Sequence, residues 1–254
     1  MRNAPTRSSP RFHVASRLAP GATLDLPERP ARHVQVLRMG EGDAITLFDG
    51  SGGEYAAVLG AVRKDRVVAR LGEFRDVERE SPLSVTLALG MSAGDRMDVA
   101  IQKATELGAS AIVPLTTERS VVRLSGERAE RRMAHWEGVA IAACEQCGRN
   151  RVPPVSAPTG FADWLGATLD RDLGARVMLA PDGEQSLRGL LAGLGPAHSI
   201  TLLVGAEGGL SPQERALAAR AGFIGVRFGP RVMRTETAPL AVLAALQALA
   251  GDCQ

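Results

Sequence analysis

The chain has 254 residues, 45% hydrophobic and 23% charged, with a formal net charge of +2. That length allows one or two domains, each able to bury a proper core. No apolar run approaches the ~20 residues that span a bilayer, Met1 to Pro10 lacks the apolar stretch of a secretory signal, and three cysteines are too few and too odd for a disulfide framework, so a soluble cytoplasmic protein is expected.

In chain order, the first feature is charge. Residues 1–40 hold seven arginines (Arg2, Arg7, Arg11, Arg17, Arg29, Arg32, Arg38) against Asp25 and Glu28, a balance of +5 that leaves −3 on the rest. A basic segment on a near-neutral body fits a polyanionic partner. A solvated leader from an arginine-favouring genome fits equally well, since Lys64 and Lys103 are the only lysines. A short helix is predicted around Pro30–Arg38. Three short strands follow, Ala44–Phe48, Glu54–Val62 and Arg66–Phe74, separated by Asp49–Gly53 and Arg63–Asp65. Short strands with glycine-rich turns predict a small barrel over residues 1–76. The charged stretch Asp76–Ser81, closed by Pro82, reads as the linker to a second domain, 82–254.

From Leu83 strands alternate with helices. Apolar runs at Leu83–Leu89, Ala111–Leu115, Val177–Ala180, Ile200–Val204 and Gly225–Phe228 read as strands. Asp95–Gly108 places Met97, Ala100, Ile101, Ala104 and Leu107 on one helical face, and Arg128–Cys147 repeats the pattern through Met133, Trp136, Ala140, Ala143, Cys144 and Cys147. The fold class is therefore α/β with a largely parallel sheet behind a small all-β N-terminal domain. Cys144 and Cys147 form a lone CxxC on an apolar helix face, a core role rather than a metal or redox site. His13, His33, His135 and His198 form no metal or triad pattern; His13 and His33, in the basic segment, are candidates for RNA contact and equally for an ordinary surface role.

Two loops carry the chemistry. Gly205-Ala206-Glu207-Gly208-Gly209-Leu210-Ser211 follows the strand Ile200–Val204 and opens a helix with Ser211 as N-cap, Pro212 at its first position and Glu214 completing a capping box. Ligands bind outside the carboxyl ends of strands in α/β sheets, where such a loop lies, and glycine lets backbone approach them. Alone, this loop is better read as a plain strand-to-helix turn. Phe228-Gly229-Pro230-Arg231-Val232-Met233-Arg234-Thr235-Glu236-Thr237-Ala238 is a strand end, a tight turn and a dense polar cluster before a helix capped by Thr237. Arg231, Arg234 and Glu236 at the mouth of a sheet suit an anionic, hydrogen-bonding substrate such as an RNA nucleotide.

These two runs resemble the signature of the ribosomal RNA small subunit methyltransferase E family. Asp95-Arg96-Met97-Asp98 with Ile101–Gly108, Ala143–Arg149, and Arg11-Phe12 with His33-Val34 and Leu37-Arg38 also match its pattern. The resemblance covers nearly the whole chain. It implies a PUA-like barrel followed by a SPOUT domain with a C-terminal trefoil knot, a topology that periodicity could not have revealed. It implies an S-adenosylmethionine-dependent methyltransferase acting on N3 of a uridine in small-subunit (16S) ribosomal RNA, with no metal. Cofactor contacts would come from Leu203, Gly205, Glu207, Gly208, Gly209, Phe228, Gly229, Met233 and Thr237. RNA contacts would come from Arg11, His13, Arg32, His33, Arg38, Arg96 and Arg231. Two positions depart from the pattern. Ala206 replaces a proline, and Ala93 replaces a lysine whose contact Arg96 or Lys103 could supply instead.

A sulfonium methyl is already electrophilic, so the protein must supply position, a donor for the charge developing on the base, and a proton acceptor. Arg234 is the expected donor. Glu236 or Glu207 is the expected acceptor, with Glu236 alternatively orienting Arg234 through a salt bridge. The helix from Ala238 to Ala250 has Gln247 as its only polar side chain. Apolar nearly all round, it needs cover on both sides; burial in one domain would serve, and a homodimer, which the resemblance implies, is expected, with Leu246 as an outward position. The alternatives are a SPOUT enzyme for transfer RNA or large-subunit RNA, and a non-catalytic RNA-binding assembly protein.

Overall fold

The computed structural model describes residues 9–169, 173–193 and 199–253; Arg2, Arg7 and His198 lie outside the described residues. It divides into two compact units, Met1–Glu80 with Cys144–Val152, and Ser81–Ala143 with Pro153–Gln254.

The N-terminal unit contains β1 (Arg11–His13), β2 (Thr23–Asp25), α1 (Glu28–Val36), β3 (Ala44–Phe48), β4 (Glu54–Val62) and β5 (Val67–Arg75). They form one five-stranded sheet, β1-β3-β4-β5-β2, antiparallel except for the β1–β3 pair. Alternation does the folding: Val67, Ala69 and Leu71 point inward while Arg70 and Gly72 face out. The inward faces join Phe12, Ile45, Leu47 and Leu59 with Val34 of α1 in one core. The expected barrel is thus a single sheet closed by α1 whose edges, β1 and β2, are not paired with each other among the described residues.

The C-terminal unit runs through β6 (Ser84–Gly90), α2 (Arg96–Glu106), β7 (Ala109–Thr116), α3 (Gly126–Cys147), β8 (Thr159–Gly160), α4 (Phe161–Ala167), β9 (Ala175–Leu179), β10 (Gln185–Ser186), α5 (Leu187–Gly193), β11 (Ser199–Val204), α6 (Pro212–Arg220), β12 (Ile224–Arg227) and α7 (Thr237–Ala250). The last turn of α3, from Cys144, groups with the N-terminal unit. The seven strands form an all-parallel sheet, β10-β12-β9-β11-β6-β7-β8. Phe161, Trp164 and Leu165 of α4 and Ala218 of α6 cover one part of it, packing on Ala88, Leu115, Met178 and Leu203. α7 packs on β11, β6 and α2. The polar side chain in its middle is not at the surface: Gln247 accepts from Ser81 Oγ at 2.6 Å and donates to the Leu107 carbonyl at 3.1 Å. Leu246 is fully buried, so it is not the outward position expected of it; the outward residues of α7 include Ala244, Ala248 and Leu249. Among the described residues, no helix is long and apolar enough to cross a membrane.

Candidate active site

Three adjacent strands, β12, β9 and β11, end at one rim of the parallel sheet. A cavity of about 530 Å³ opens there, walled by Leu179–Pro181, by Val204–Gly209 and by Val226–Met233 with Thr235 and Ala238. That volume is within the range of small-molecule sites.

Each glycine of the first loop has a different reason. At Gly205 a Cβ would lie 2.6 Å from the Gly209 carbonyl carbon and the Leu210 nitrogen, because the loop folds back on itself there. The Gly209 amide closes this fold onto the Ala206 carbonyl at 2.8 Å. At Gly208 the aliphatic stem of Arg119 takes the place of a side chain, 3.0 Å from a Cβ. Gly209 has φ +67°, a left-handed conformation that favours glycine, and a Cβ there would meet nothing within 4 Å. The loop exits into α6 through the expected capping box: Glu214 N donates to Ser211 Oγ at 3.2 Å and Ser211 N to Glu214 Oε2 at 2.9 Å. The second loop turns at Gly229, φ +74°, again with open space before it. α7 begins at Thr237 with Glu236 in the N-cap position, so Thr237 does not cap the helix.

Of the expected cofactor residues, Gly205, Glu207, Gly208, Gly209, Phe228, Gly229 and Met233 line the cavity. Leu203 does not: it is fully buried in the core with Phe161 and Leu210. Thr237 is not on the wall either; Thr235 and Ala238 are. The sequence reading missed Leu179–Pro181, which the rule of carboxyl strand ends could have found after β9. It also missed Gly90, the last residue of β6, where a Cβ would collide with the Ala206 amide.

The two catalytic candidates are not paired with each other. Arg234 is exposed, and among the described residues its guanidinium has no partner. Glu236 stands 4.0 Å from Arg96 Nε, and its Oε2 is buried without a hydrogen bond. Arg96 also donates to Glu207 at 2.9 Å, and the Ala93 amide donates to the same oxygen. Burial pushes the Glu207 carboxyl up, but the Ala93 amide, its own amide and Arg96 more than offset it, so it titrates below the usual carboxylate range. Glu207 is therefore a brace held ionised.

The candidate RNA contacts fall in both units. Arg11 is not a free surface cation. It pairs with buried Glu54 at 2.5 Å, donates to Asn150 Oδ1 at 2.5 Å, and its guanidinium lies over the Phe48 ring. Burial raises the Glu54 carboxyl, yet hydrogen bonding and charge from Arg11, with Asn150 and Arg79, bring it below the ordinary range. His13 is half-buried, and burial lowers its pKa, leaving it neutral near pH 7. Arg32, His33 and Arg38 are exposed. Arg231 is exposed at the cavity wall, whereas Arg96 is committed to Glu207 and Lys103 to Glu106 at 2.8 Å, so neither stands free in the place of the lysine missing at Ala93. Cys144 is buried, its thiol pushed up to about 12 by burial, which makes it inert.

A parallel α/β unit with a ligand-sized cavity at its carboxyl rim, following a small β unit in the chain, is the architecture on which the sequence matches converge. Residues 79–247 match the RNA methyltransferase domain and residues 26–72 the RNA methyltransferase PUA domain, which defines the class. The chain is 36% identical over 216 residues to ribosomal RNA small subunit methyltransferase E of Bacillus subtilis (strain 168), covering 84% of each chain. It belongs to the ribosomal RNA small subunit methyltransferase E family. A crystal structure of that enzyme from Neisseria gonorrhoeae, bound to S-adenosyl methionine, is 42% identical and superposes with a TM-score of 0.89 over 97% of this chain and all of the other. A putative methyltransferase from Legionella pneumophila, in complex with the cofactor SAM, is 36% identical with a TM-score of 0.90 over 96% and 99% of the two chains.

Proposed function

We propose that this protein transfers a methyl group from S-adenosylmethionine to N3 of a uridine in small-subunit ribosomal RNA, acting in the cytoplasm as a homodimer. The observation that carries the reading is the pair of loops after β11 and β12 converging on one cavity. There Gly209 and Gly229 both adopt positive φ and both face open space that a Cβ would fill. The residues fit the cofactor: apolar walls from Leu179, Val204, Val226 and Met233 suit an adenosine, and close backbone supplies its hydrogen bonds. When bound, S-adenosylmethionine supplies an electrophilic sulfonium methyl. The family resemblance carries a trefoil knot to the two loops.

The chain's own residues then have distinct tasks. The Arg234 guanidinium, exposed and unpaired among the described residues, donates to a uracil carbonyl and stabilises the negative charge that appears as N3 loses its proton. Glu236 accepts that proton; its buried, unbonded oxygen lacks the hydrogen bonds that hold Glu207 ionised. Arg96 bridges Glu207 and Glu236 and keeps the two carboxylates together. Arg231 at the cavity wall and Arg32, His33 and Arg38 on the PUA unit contact RNA. The outward apolar face of α7, Ala244, Ala248 and Leu249, with Val99 of α2 40% exposed, supports the dimer.

The test is calorimetric titration with S-adenosylmethionine, followed by transfer of labelled methyl to small-subunit, large-subunit and transfer RNA. Micromolar binding with label confined to the small subunit is expected. Label in another RNA would move the substrate, and absence of binding would leave only an RNA-binding role.

A further inference from the structure

Arg119 belongs to none of the motifs discussed above, and its place on the chain gives no hint of a role. It follows β7, which is separated from β11 in the sheet by β6. The segment Thr117–Ser120 is a closed turn. Thr117 N donates to Ser120 Oγ at 3.0 Å and Ser120 N to the Thr117 carbonyl at 3.1 Å, and both residues are buried. This rigid turn reaches the cofactor loop at two points. Glu118 N donates to Glu214 Oε1 at 2.7 Å, on the same buried carboxylate whose other oxygen caps α6 at Ser211. Arg119 Nη1 donates to the Gly208 carbonyl at 2.7 Å, while its Cβ, Cγ and Cδ lie against the face where Gly208 has no side chain.

We infer that Arg119 is a positioning residue for the methyl donor, holding the apex of the 205–211 loop in its binding shape. A loop turning through three glycines has large conformational freedom when unrestrained, and ordering it opposes binding. Glu214 fixes the loop's exit, the Gly209–Ala206 hydrogen bond closes its turn, and Arg119 fixes the carbonyl at its tip. The same contact explains Gly208: its side is filled by the arginine stem and not by ligand, unlike Gly209. Arg119 thus acts on the donor through the loop.

The inference rests on the proposed function, and the experiment separates the two. Wild type, Arg119→Ala and Arg119→Lys are titrated with S-adenosylhomocysteine. Amide hydrogen exchange over residues 206–210 is measured in the free proteins, and KM for the methyl donor and for RNA is measured with kcat. Loss of one charge-assisted hydrogen bond at an exposed site is expected to weaken binding about tenfold in Arg119→Ala, with partial recovery in Arg119→Lys. Exchange over 206–210 should quicken, and KM for the donor should rise much more than kcat falls. Affinity and exchange unchanged in Arg119→Ala, with only the KM for RNA raised, would overturn the inference and make Arg119 an RNA contact. No binding by the wild type would overturn the proposed function and this inference with it.

Discussion

Gly209→Val separates the cavity from the fold. The residue sits at φ +67°, where an L side chain is strained by about 1–2 kcal/mol, and a β-branched one at the upper end. No neighbour lies within 4 Å of the new Cβ, so that atom meets no clash in the free protein. For a unit of this size that strain corresponds to a fall in Tm of roughly 2–8 °C, which a domain of ordinary stability survives. The added atoms project where the backbone otherwise leaves room in a cavity of about 530 Å³. Affinity for S-adenosylhomocysteine should therefore drop at least ~100-fold, or about 2.7 kcal/mol, with Gly209→Ala intermediate. Calorimetry and thermal denaturation on the same samples read the two effects independently. A valine variant that binds within a few-fold of wild type would remove this loop from the site.

Four further outcomes are expected. Arg234→Ala should lower kcat by ~10²–10³ while leaving donor affinity within a few-fold, checked by single-turnover methylation and calorimetry. Arg32→Ala with Arg38→Ala should reduce the log–log salt slope of RNA binding by roughly 0.7–0.9 for each phosphate no longer neutralised; an unchanged slope would make them solvated surface. Arg11→Ala should instead cost about 3 kcal/mol of stability, since it strips buried Glu54 of its shortest partner and leaves it only Arg79 at 3.5 Å and the Asn150 amide at 3.3 Å. Glu54 is held below its ordinary range, so in the wild type its contribution is complete above that range and lost as pH falls through its folded value; denaturant melts should show that acid-side loss shrink in Arg11→Ala. Leu249→Arg, on the exposed face of α7, should give folded monomers by sedimentation, whereas Leu246→Arg should unfold the protein by burying a charge.

β3 and β4 were legible in the sequence to the residue because short apolar runs bounded by glycine-rich or charged turns are local signals. β1, β2, β8 and β10 have two or three residues each, too few for any period, and exist through partners elsewhere in the chain. The capping box at Ser211 and Glu214 was readable because its two hydrogen bonds join residues three apart. The partners of Arg11 were illegible for the opposite reason. Local charge counting sees seven arginines, but the groups that bury this one, Glu54 and Asn150, are 43 and 139 residues away. The outward face of α7 was invisible since an unbroken apolar run carries no polar stripe to mark direction. The cavity loops came from motif resemblance, while the place of Leu203 in the core and not on the cavity wall was not legible because a motif does not say where the strand ends and the rim begins.

The chemical identity of the product decides whether this protein methylates N3 of uridine. Small subunits purified from a strain lacking this gene would be incubated with the protein and S-adenosylmethionine, and the ribosomal RNA digested to nucleosides for mass spectrometry. One added methyl per subunit is expected, recovered as 3-methyluridine and absent with Glu236→Gln. A methyl on ribose, on carbon 5 or on another base would contradict it.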